Sequence, residues 1–341
     1  MGVELSWPEE WVILREKLTS FEGTILVVAP VDRGKTTLVR LICDFFRECG
    51  RSCALVDSDL GQSVVGPPTT VGMLPPGSQL GSQEALFTPY FRFVGDTTPS
   101  RHLLLTALSV FELVQMARAL SQVVVVDTCG LFRGLEGLYL KMLKIKLLMP
   151  QLAIGLGNEE EFRVLKVLKG RNFLILPTPE GVKNKSAEER KARRKLLFAE
   201  YFSRGRKLVL ELSRLRLFAP LSPYFYLQQA LQAEWGVVFK VGRKRYHLLC
   251  SEKVQQDFPL EERSGYWLLP EDMNNLLCCL YSKQLREIGL GIIRKIDFAK
   301  GKMEIWGTTL SQAEPHFVVC GDLKVKPQGE EMGRLSWKIL R

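Results

Sequence analysis

The sequence predicts an α/β chain in which a mostly parallel sheet carries helices on both faces and is followed by a smaller β-rich domain. Three observations predict it. Up to about Val209, apolar runs that read as strands alternate with helical stretches, the order that builds parallel sheets. The run Val123-Val-Val-Val-Asp127 is apolar until its last residue, as a strand buried on both faces requires. Beyond Val209, short alternating or apolar runs separated by turn residues take over.

Taken in order, Trp7-Pro8-Glu9-Glu10-Trp11 opens a short amphipathic helix to about Leu18, with Ser6 as its N-cap and Pro8 in the first turn. Thr24-Ile-Leu-Val-Val28 is the first strand. The loop Ala29-Pro-Val-Asp-Arg-Gly-Lys-Thr-Thr37 leads into a helix that runs through Leu38 to about Cys49, where Gly50 stops it. Cys53-Ala-Leu-Val-Asp57 completes a β-α-β unit. Residues 61–82 are rich in glycine and proline, which predicts an extended connection rather than a helix. Phe91–Val94 is a further strand, Thr98-Pro-Ser100 starts a long helix through Leu120, and Leu138–Leu148 is helical. Leu152–Ile154 and Phe173–Leu176 are short strands, and Ser186–Phe202 is a basic helix. In the last part, strands are expected at 236–240, 245–249, 276–281, 291–293, 302–306 and 317–320. The expected organisation is an N-terminal helical segment (1–22), a nucleotide-binding domain (23–209) with a lid at about 181–204, and a β-rich domain (210–341).

At 341 residues and 46% hydrophobic, the chain can bury a large core. No apolar stretch approaches the roughly 20 residues of a membrane span, and the N-terminus lacks a basic and then apolar leader, so a cytoplasmic location and no membrane partner are expected. The eight cysteines are scattered and form no C-x-x-C pair, which predicts free thiols rather than a zinc site. His102, His247 and His316, the only histidines, read as structural or surface residues. The net charge of +10 points to a polyanionic partner.

Four groups of residues carry chemistry. The loop at 29–37 matches G-x-x-x-x-G-K-[ST] except that Ala29 stands at the first glycine, a replacement that is harmless if its φ is negative. Such a loop cradles phosphates on backbone N–H groups, here those of Asp32, Arg33, Gly34, Lys35, Thr36 and Thr37. Lys35 then reaches the β- and γ-phosphates and the Thr36 hydroxyl takes a place on Mg²⁺. The second group is Asp57-Ser-Asp59-Leu-Gly-Gln62. Its two acids leave the carboxyl edge of the sheet together, where they can orient metal-bound water and accept a proton from an attacking hydroxyl, or simply cap the next segment as Asx-turns. The third is Asp127-Thr-Cys-Gly130, whose acid stands where a Walker B aspartate holds the metal and whose Gly130 N–H can face the γ-phosphate. The fourth is the basic helix, with Lys185 at its start and Arg190 and Arg194 on one face, following a hinge at Pro177–Gly181. It reads as a lid whose arginines neutralise phosphate charge.

Together these segments resemble the family of RNA 5′-hydroxyl polynucleotide kinases over nearly the whole chain. The family's D-x-D-x-G-Q motif is matched by Asp57, Asp59, Gly61 and Gln62. Its aromatic-x-F-G-x-T-T-P segment is similar to Phe91 through Pro99, and its N-T-x-G-W segment to Asp127 through Leu131. Its lid is similar to Gly181-Val182, Lys185-Ser186, Arg190, Arg194 and Glu200-Tyr-Phe202, and the second domain carries the family-like Leu290–Ile293 and Ile296-Asp297. The resemblance implies that Lys35 and Thr36 hold phosphates and Mg²⁺, that Asp59 acts as general base on a 5′-hydroxyl, and that Asp57 and Thr98 support the metal and phosphate shell. Gln62, Thr98, Leu131 and Lys185 would then contact the acceptor. Lys185 stands where the family usually has Arg, and a point charge does not replace a bidentate fork. Leu131 stands where some members have a tryptophan that stacks on a base, so base stacking is reduced or passes to Phe132; Asp127 stands where the family often has Asn.

The function implied is transfer of the γ-phosphoryl group of ATP or GTP to the 5′-hydroxyl end of RNA or DNA, with Mg²⁺; an RNA-processing protein partner is also compatible. Two other readings are a non-catalytic nucleotide-holding subunit of an RNA-processing complex and a P-loop GTPase or ATPase switch. The guanine-specific form of the switch lacks its N-K-x-D signature, since Asn184-Lys185 is followed by Ser186-Ala187. From the sequence, Lys35→Ala or Asp59→Asn should abolish transfer while leaving folding intact.

Overall fold

In the computed structural model the described residues are 7–132, 134–218, 231–233, 236–240, 245–250, 264–336 and 338–340. The chain divides into two units, the first ending at Arg194 and the second beginning at Lys195.

The first unit is built on β1 (Gly23–Val28), β2 (Cys53–Ser58), β3 (Thr70–Leu74), β4 (Phe91–Phe93), β5 (Val123–Thr128), β6 (Leu152–Leu156) and β7 (Phe173–Leu176). Its helices are α1 (Val12–Leu18), α2 (Lys35–Glu48), α3 (Gln83–Leu86), α4 (Leu103–Leu120), α5 (Gly134–Leu148), α6 (Glu159–Lys169) and α7 (Ala187–Ser203), the last continuing past Arg194. The sheet order is β4-β3-β2-β5-β1-β6-β7. From β2 to β7 all neighbours are parallel, and β3 and β4 add an antiparallel edge. The central strands are buried on both faces because they alternate between two cores. Ile25 and Val27 with Val123 and Val125 pack against α1 and α2, whereas Leu26 and Val28 with Val124 and Val126 pack beneath α4, α5 and α6. Each such side chain contributes roughly 1.5–3 kcal/mol when fully buried.

The structure differs from expectation in several places here: α4 starts at Leu103 rather than at Thr98-Pro-Ser100, and the short α3 was not expected. Thr70–Leu74 lies inside the stretch read as a connection, yet Leu55, Val56 and Asp57 pair with Leu74, Met73 and Gly72, so the glycines and prolines flank a strand. The helix α6 was not expected; it begins with a reciprocal cap in which Asn158 Oδ1 accepts from Glu161 N at 3.0 Å and Asn158 N donates to Glu161 Oε2 at 3.1 Å. The helix α5 starts at Gly134, a full turn before Leu138. At the N-terminus a 3₁₀ turn at Glu9–Trp11 precedes α1, and Ser6 lies outside the described residues. α4 is apolar enough to cross a membrane by length, with a mean hydropathy of 1.6. It instead packs Val110, Leu113, Val114 and Ala117 into the core under the sheet.

The second unit is β-rich. β8 (Arg206–Glu211), β9 (Arg216–Phe218), β14 (Leu276–Tyr281), β15 (Glu287–Asp297), β16 (Lys302–Thr309), β17 (Phe317–Val325) and β18 (Glu331–Arg334) form one sheet. β10 (Leu231–Ala233), β11 (Gly236–Lys240), β12 (Arg245–Cys250), β13 (Ser264–Leu268) and β19 (Lys338–Leu340) form another. All six expected runs fall in strands, and β8, β9, β10, β13, β18 and β19 are additional. The end of α7 anchors the larger sheet: the Leu290 N–H donates to the Tyr201 hydroxyl at 3.2 Å, and Trp306 Nε1 donates to Phe202 O at 3.1 Å. The side chains of His247 and Cys250 lie outside the described part; the other seven cysteines are free thiols.

Candidate active site

The loop between β1 and α2 is preformed. Ala29 is buried in the core and has no positive φ, so the missing first glycine costs nothing. Gly34 does need its freedom: it sits at φ +83° as the N-cap of α2, where a side chain would be strained. Lys35, Thr36 and Thr37 form the first turn of α2, whose unpaired N–H groups favour an anion. Gly130, at the end of β5, approaches the loop so closely that a Cβ there would lie 2.3 Å from Val31 Cγ1.

A cavity of about 460 Å³ opens in front of this loop. The residues Asp32 through Thr37 line it together with Asp59, Gln62, Gly130, Lys185 and Arg190, while Pro8, Trp11, Pro179 and Val182 supply an apolar wall. The indole of Trp11 donates to Pro177 O at 3.0 Å, tying the N-terminal helical segment to the hinge.

One ammonium group serves three carboxylates. Lys35, 8% exposed, forms an ion pair with Asp127, which stands opposite Asp57 in the parallel register of β2 and β5. Burial pulls the Lys35 proton affinity down, but Asp127, Asp59 and Asp57 outweigh it and hold the ammonium above its usual value. Burial pushes the Asp57 carboxyl up to about 7, reinforced by Asp127 and Asp59. Burial also raises Asp127, against the pull of Lys35.

The two acids of the D-x-D segment have separate jobs. Asp57 is occupied: Oδ1 accepts from Asp59 N at 2.9 Å, and Oδ2 accepts from Val64 N at 2.6 Å and Val65 N at 3.1 Å. It is an Asx-turn acceptor that folds the following loop. Asp59 is an Asx-turn acceptor on one side only, with Oδ1 taking Gly61 N at 3.1 Å and Gln62 N at 3.0 Å, and its Oδ2 has no partner among the described residues. Gln62 spends Nε2 on Gly61 O and Arg190 O, at 2.8 and 3.1 Å, and leaves a buried Oε1 unpartnered.

The lid is docked on the loop. Ser186 caps α7 by accepting from Glu189 N at 3.1 Å, and Glu189 Oε2 accepts from Ser186 N at 2.6 Å. Asp32 Oδ2 then accepts from Arg190 Nη2 at 2.5 Å and from Lys185 N at 3.2 Å. This pair is mostly buried, and a charge-assisted bond of this kind contributes about 1.5–3 kcal/mol. Asp32→Ala is therefore expected to raise the rate of tryptic cleavage within 177–195 by roughly 10- to 150-fold without nucleotide. Wild-type cleavage rates would show that Asp32 does not hold the lid.

The structure thus brings together at one cavity the residues 32–37, Asp59, Gln62, Gly130, Lys185 and Arg190. Asp57 and Asp127 sit behind the cavity wall. Thr98, Leu131 and Arg194 do not line it; the Thr98 hydroxyl lies 3.2 Å from that of Ser100, and Leu131 packs with Cys129 and Leu140. The half-buried Phe132 ring meets Phe162 edge-on at 5.2 Å. Sequence reading missed Arg193, whose Nη2 donates to Ser63 O at 3.3 Å, and Glu161, which accepts from Arg33 Nη2 at 3.1 Å. The Asn158–Glu161 spacing was the signal for the second; nothing in the sequence marked the first.

The match of residues 29–204, from the phosphate loop through the lid, to the mRNA cleavage and polyadenylation factor CLP1 P-loop family decides the assignment. The chain belongs to the CLP1 P-loop family. Among its relatives, a polyribonucleotide 5′-hydroxyl-kinase of Pyrococcus horikoshii is 27% identical over 98% of this chain and 95% of its own length. The polyribonucleotide 5′-hydroxyl-kinase of Thermococcus kodakarensis is 28% identical over 96% of each. A solved structure of Clp1p with Pcf11p superposes with a TM-score of 0.65 at 13% identity, covering 92% of this chain and 78% of that one, and shares the CLP1 fold.

Proposed function

We propose that the protein is a polynucleotide 5′-hydroxyl kinase that transfers the γ-phosphoryl group of ATP or GTP to the 5′-hydroxyl end of RNA, with DNA as a second acceptor. The observation that carries this reading is one cavity lined by a phosphate loop, by an acid with an unpartnered oxygen and by a buried amide oxygen that lacks a donor. The two archaeal relatives, which align with almost the whole chain, carry names that agree.

The residues present fit a nucleotide with a divalent cation. The first turn of α2 and Lys35 favour an anionic phosphate tail, while the excess of carboxylates over ammonium around Lys35 favours a cation beside it. Thr36 would hold Mg²⁺, with Asp127 and Asp57 supplying negative field from behind. Bound there, the ion would neutralise charge on the β- and γ-phosphate oxygens.

The chain's own residues supply the rest. Lys35 and the N–H groups of 32–37 clamp the phosphate tail; Gly130 N–H faces its end. Gln62 lines the same cavity and contacts the acceptor strand, while Asp59 Oδ2 accepts from the incoming 5′-hydroxyl and takes its one proton. The bond from that oxygen to the γ-phosphorus forms as the bond from the phosphorus to the β–γ bridging oxygen breaks, and the nucleoside diphosphate leaves. Arg190, released from Asp32, turns to the phosphate being transferred and withdraws charge from it, with Lys185 as a weaker second cation. Catalysis is therefore mostly positioning.

The test is incubation with γ-labelled ATP or GTP and matched 5′-hydroxyl RNA and DNA oligomers. The expected result is label at the RNA 5′ end, lost when the oligomer already carries a 5′-phosphate. Nucleotide hydrolysis with no labelled oligomer would overturn the kinase reading in favour of a switch, and neither product would leave a non-catalytic subunit.

A further inference from the structure

Two ammonium groups close to the acids take no part in the mechanism above. Lys141 and Lys144, on α5, have no solvent exposure at all. Burial lowers the proton affinity of both, that of Lys144 to about 8, and Asp59 is among the charges that pull each back up. Isolated buried ammonium groups cost several kcal/mol, and for stability alone an apolar side chain of equal length serves as well or better.

Their contacts are few and specific. Lys141 Nζ donates to Cys129 O at 2.6 Å, with Cys129 Sγ at 3.7 Å. Lys144 Nζ donates to Ser58 Oγ at 2.6 Å, and Ser58 Oγ donates in turn to Asp127 O at 2.8 Å. Ser58 stands between Asp57 and Asp59, and Cys129 between the Asp127 end of β5 and Gly130. Side chains alternate across a strand, so Ser58 reaches the α5 side while its acidic neighbour Asp57 faces the other way. The lysines grip the two strand ends from behind, Lys141 at β5 and Lys144 at β2.

We propose that Lys141 and Lys144 are positioning residues for phosphoryl transfer, holding the ends of β2 and β5 together so that Asp59 and the Gly130 N–H keep their places at the cavity. The proposal rests on the kinase reading. It explains why two costly groups occupy a core position that Met would fill: the return is geometry and field at the acids, not stability.

The experiment compares Lys141→Met, Lys144→Met and Lys144→Gln with the wild type by unfolding midpoint, by affinity for a fluorescent ATP analogue, and by kcat and KM on 5′-hydroxyl RNA. The Met variants are expected to keep or raise the midpoint, to bind nucleotide within threefold of wild type, and to lose at least tenfold in kcat. A merely structural lysine gives the opposite pattern, a lowered midpoint with kcat preserved, and kcat within twofold of wild type in a folded variant overturns the proposal. If a Met variant does not fold, Lys144→Gln, which keeps a donor to Ser58 and removes the charge, decides by the same thresholds. A wild-type protein with no transfer activity would sink the kinase reading itself, whereas active wild type with equally active variants sinks only the role of the lysines.

Discussion

Asp59→Asn should lower kcat for transfer to a 5′-hydroxyl RNA by about 10²- to 10⁴-fold, the contribution typical of a general base. The substitution is mild in structural terms. Asn Oδ1 can still accept from the Gly61 and Gln62 N–H groups that Asp59 Oδ1 now holds, so the turn survives. What changes is the oxygen without a partner, which becomes an amide nitrogen that cannot take a proton. Nucleotide affinity and unfolding midpoint should stay near wild type, because Asp59 contacts the loop only through long-range charge. Single-turnover transfer at saturating nucleotide reads the effect directly; a loss smaller than tenfold would move the proton acceptor elsewhere.

Lys35→Ala should remove transfer below detection, and it should also destabilise the protein. The sequence alone suggested an intact fold, since a loop lysine is usually exposed. Here the side chain is 8% exposed and is the ion-pair partner of Asp127. Removing one member of a buried pair costs about 3–5 kcal/mol because the other charge is left unmatched. Chemical denaturation should show a loss of that order. Lys35→Ala combined with Asp127→Asn should recover a good part of the stability without recovering activity, the non-additivity expected of groups in contact. Equal stability of wild type and Lys35→Ala would mean that the pair carries no net energy.

Much of the first unit was readable because its strands obey simple rules. β1 and β5 are apolar on both faces, and the loop between β1 and α2 joins glycine, lysine and threonine at a spacing with one physical purpose. The lid helix was readable from its charge density and from Ser186, which caps it. The antiparallel β3 was not, because glycine and proline composition describes its flanks and hides five residues of strand. The division of labour between Asp57 and Asp59 was equally hidden. Both acids occupy the same sequence pattern, and only the path of residues 59–65 decides which carboxylate the backbone consumes. Lys141 and Lys144 were invisible for a general reason: lysines on an otherwise apolar helix read as its solvated edge until packing places them inside.

Glu161 illustrates how far the loop's mechanics extend. One oxygen of its carboxylate starts α6, and the other receives the Arg33 guanidinium from the nucleotide loop. A strut shared in this way couples two neighbouring tasks: loosening the onset of that helix also slackens the loop, by the modest amount that a partly exposed ion pair carries.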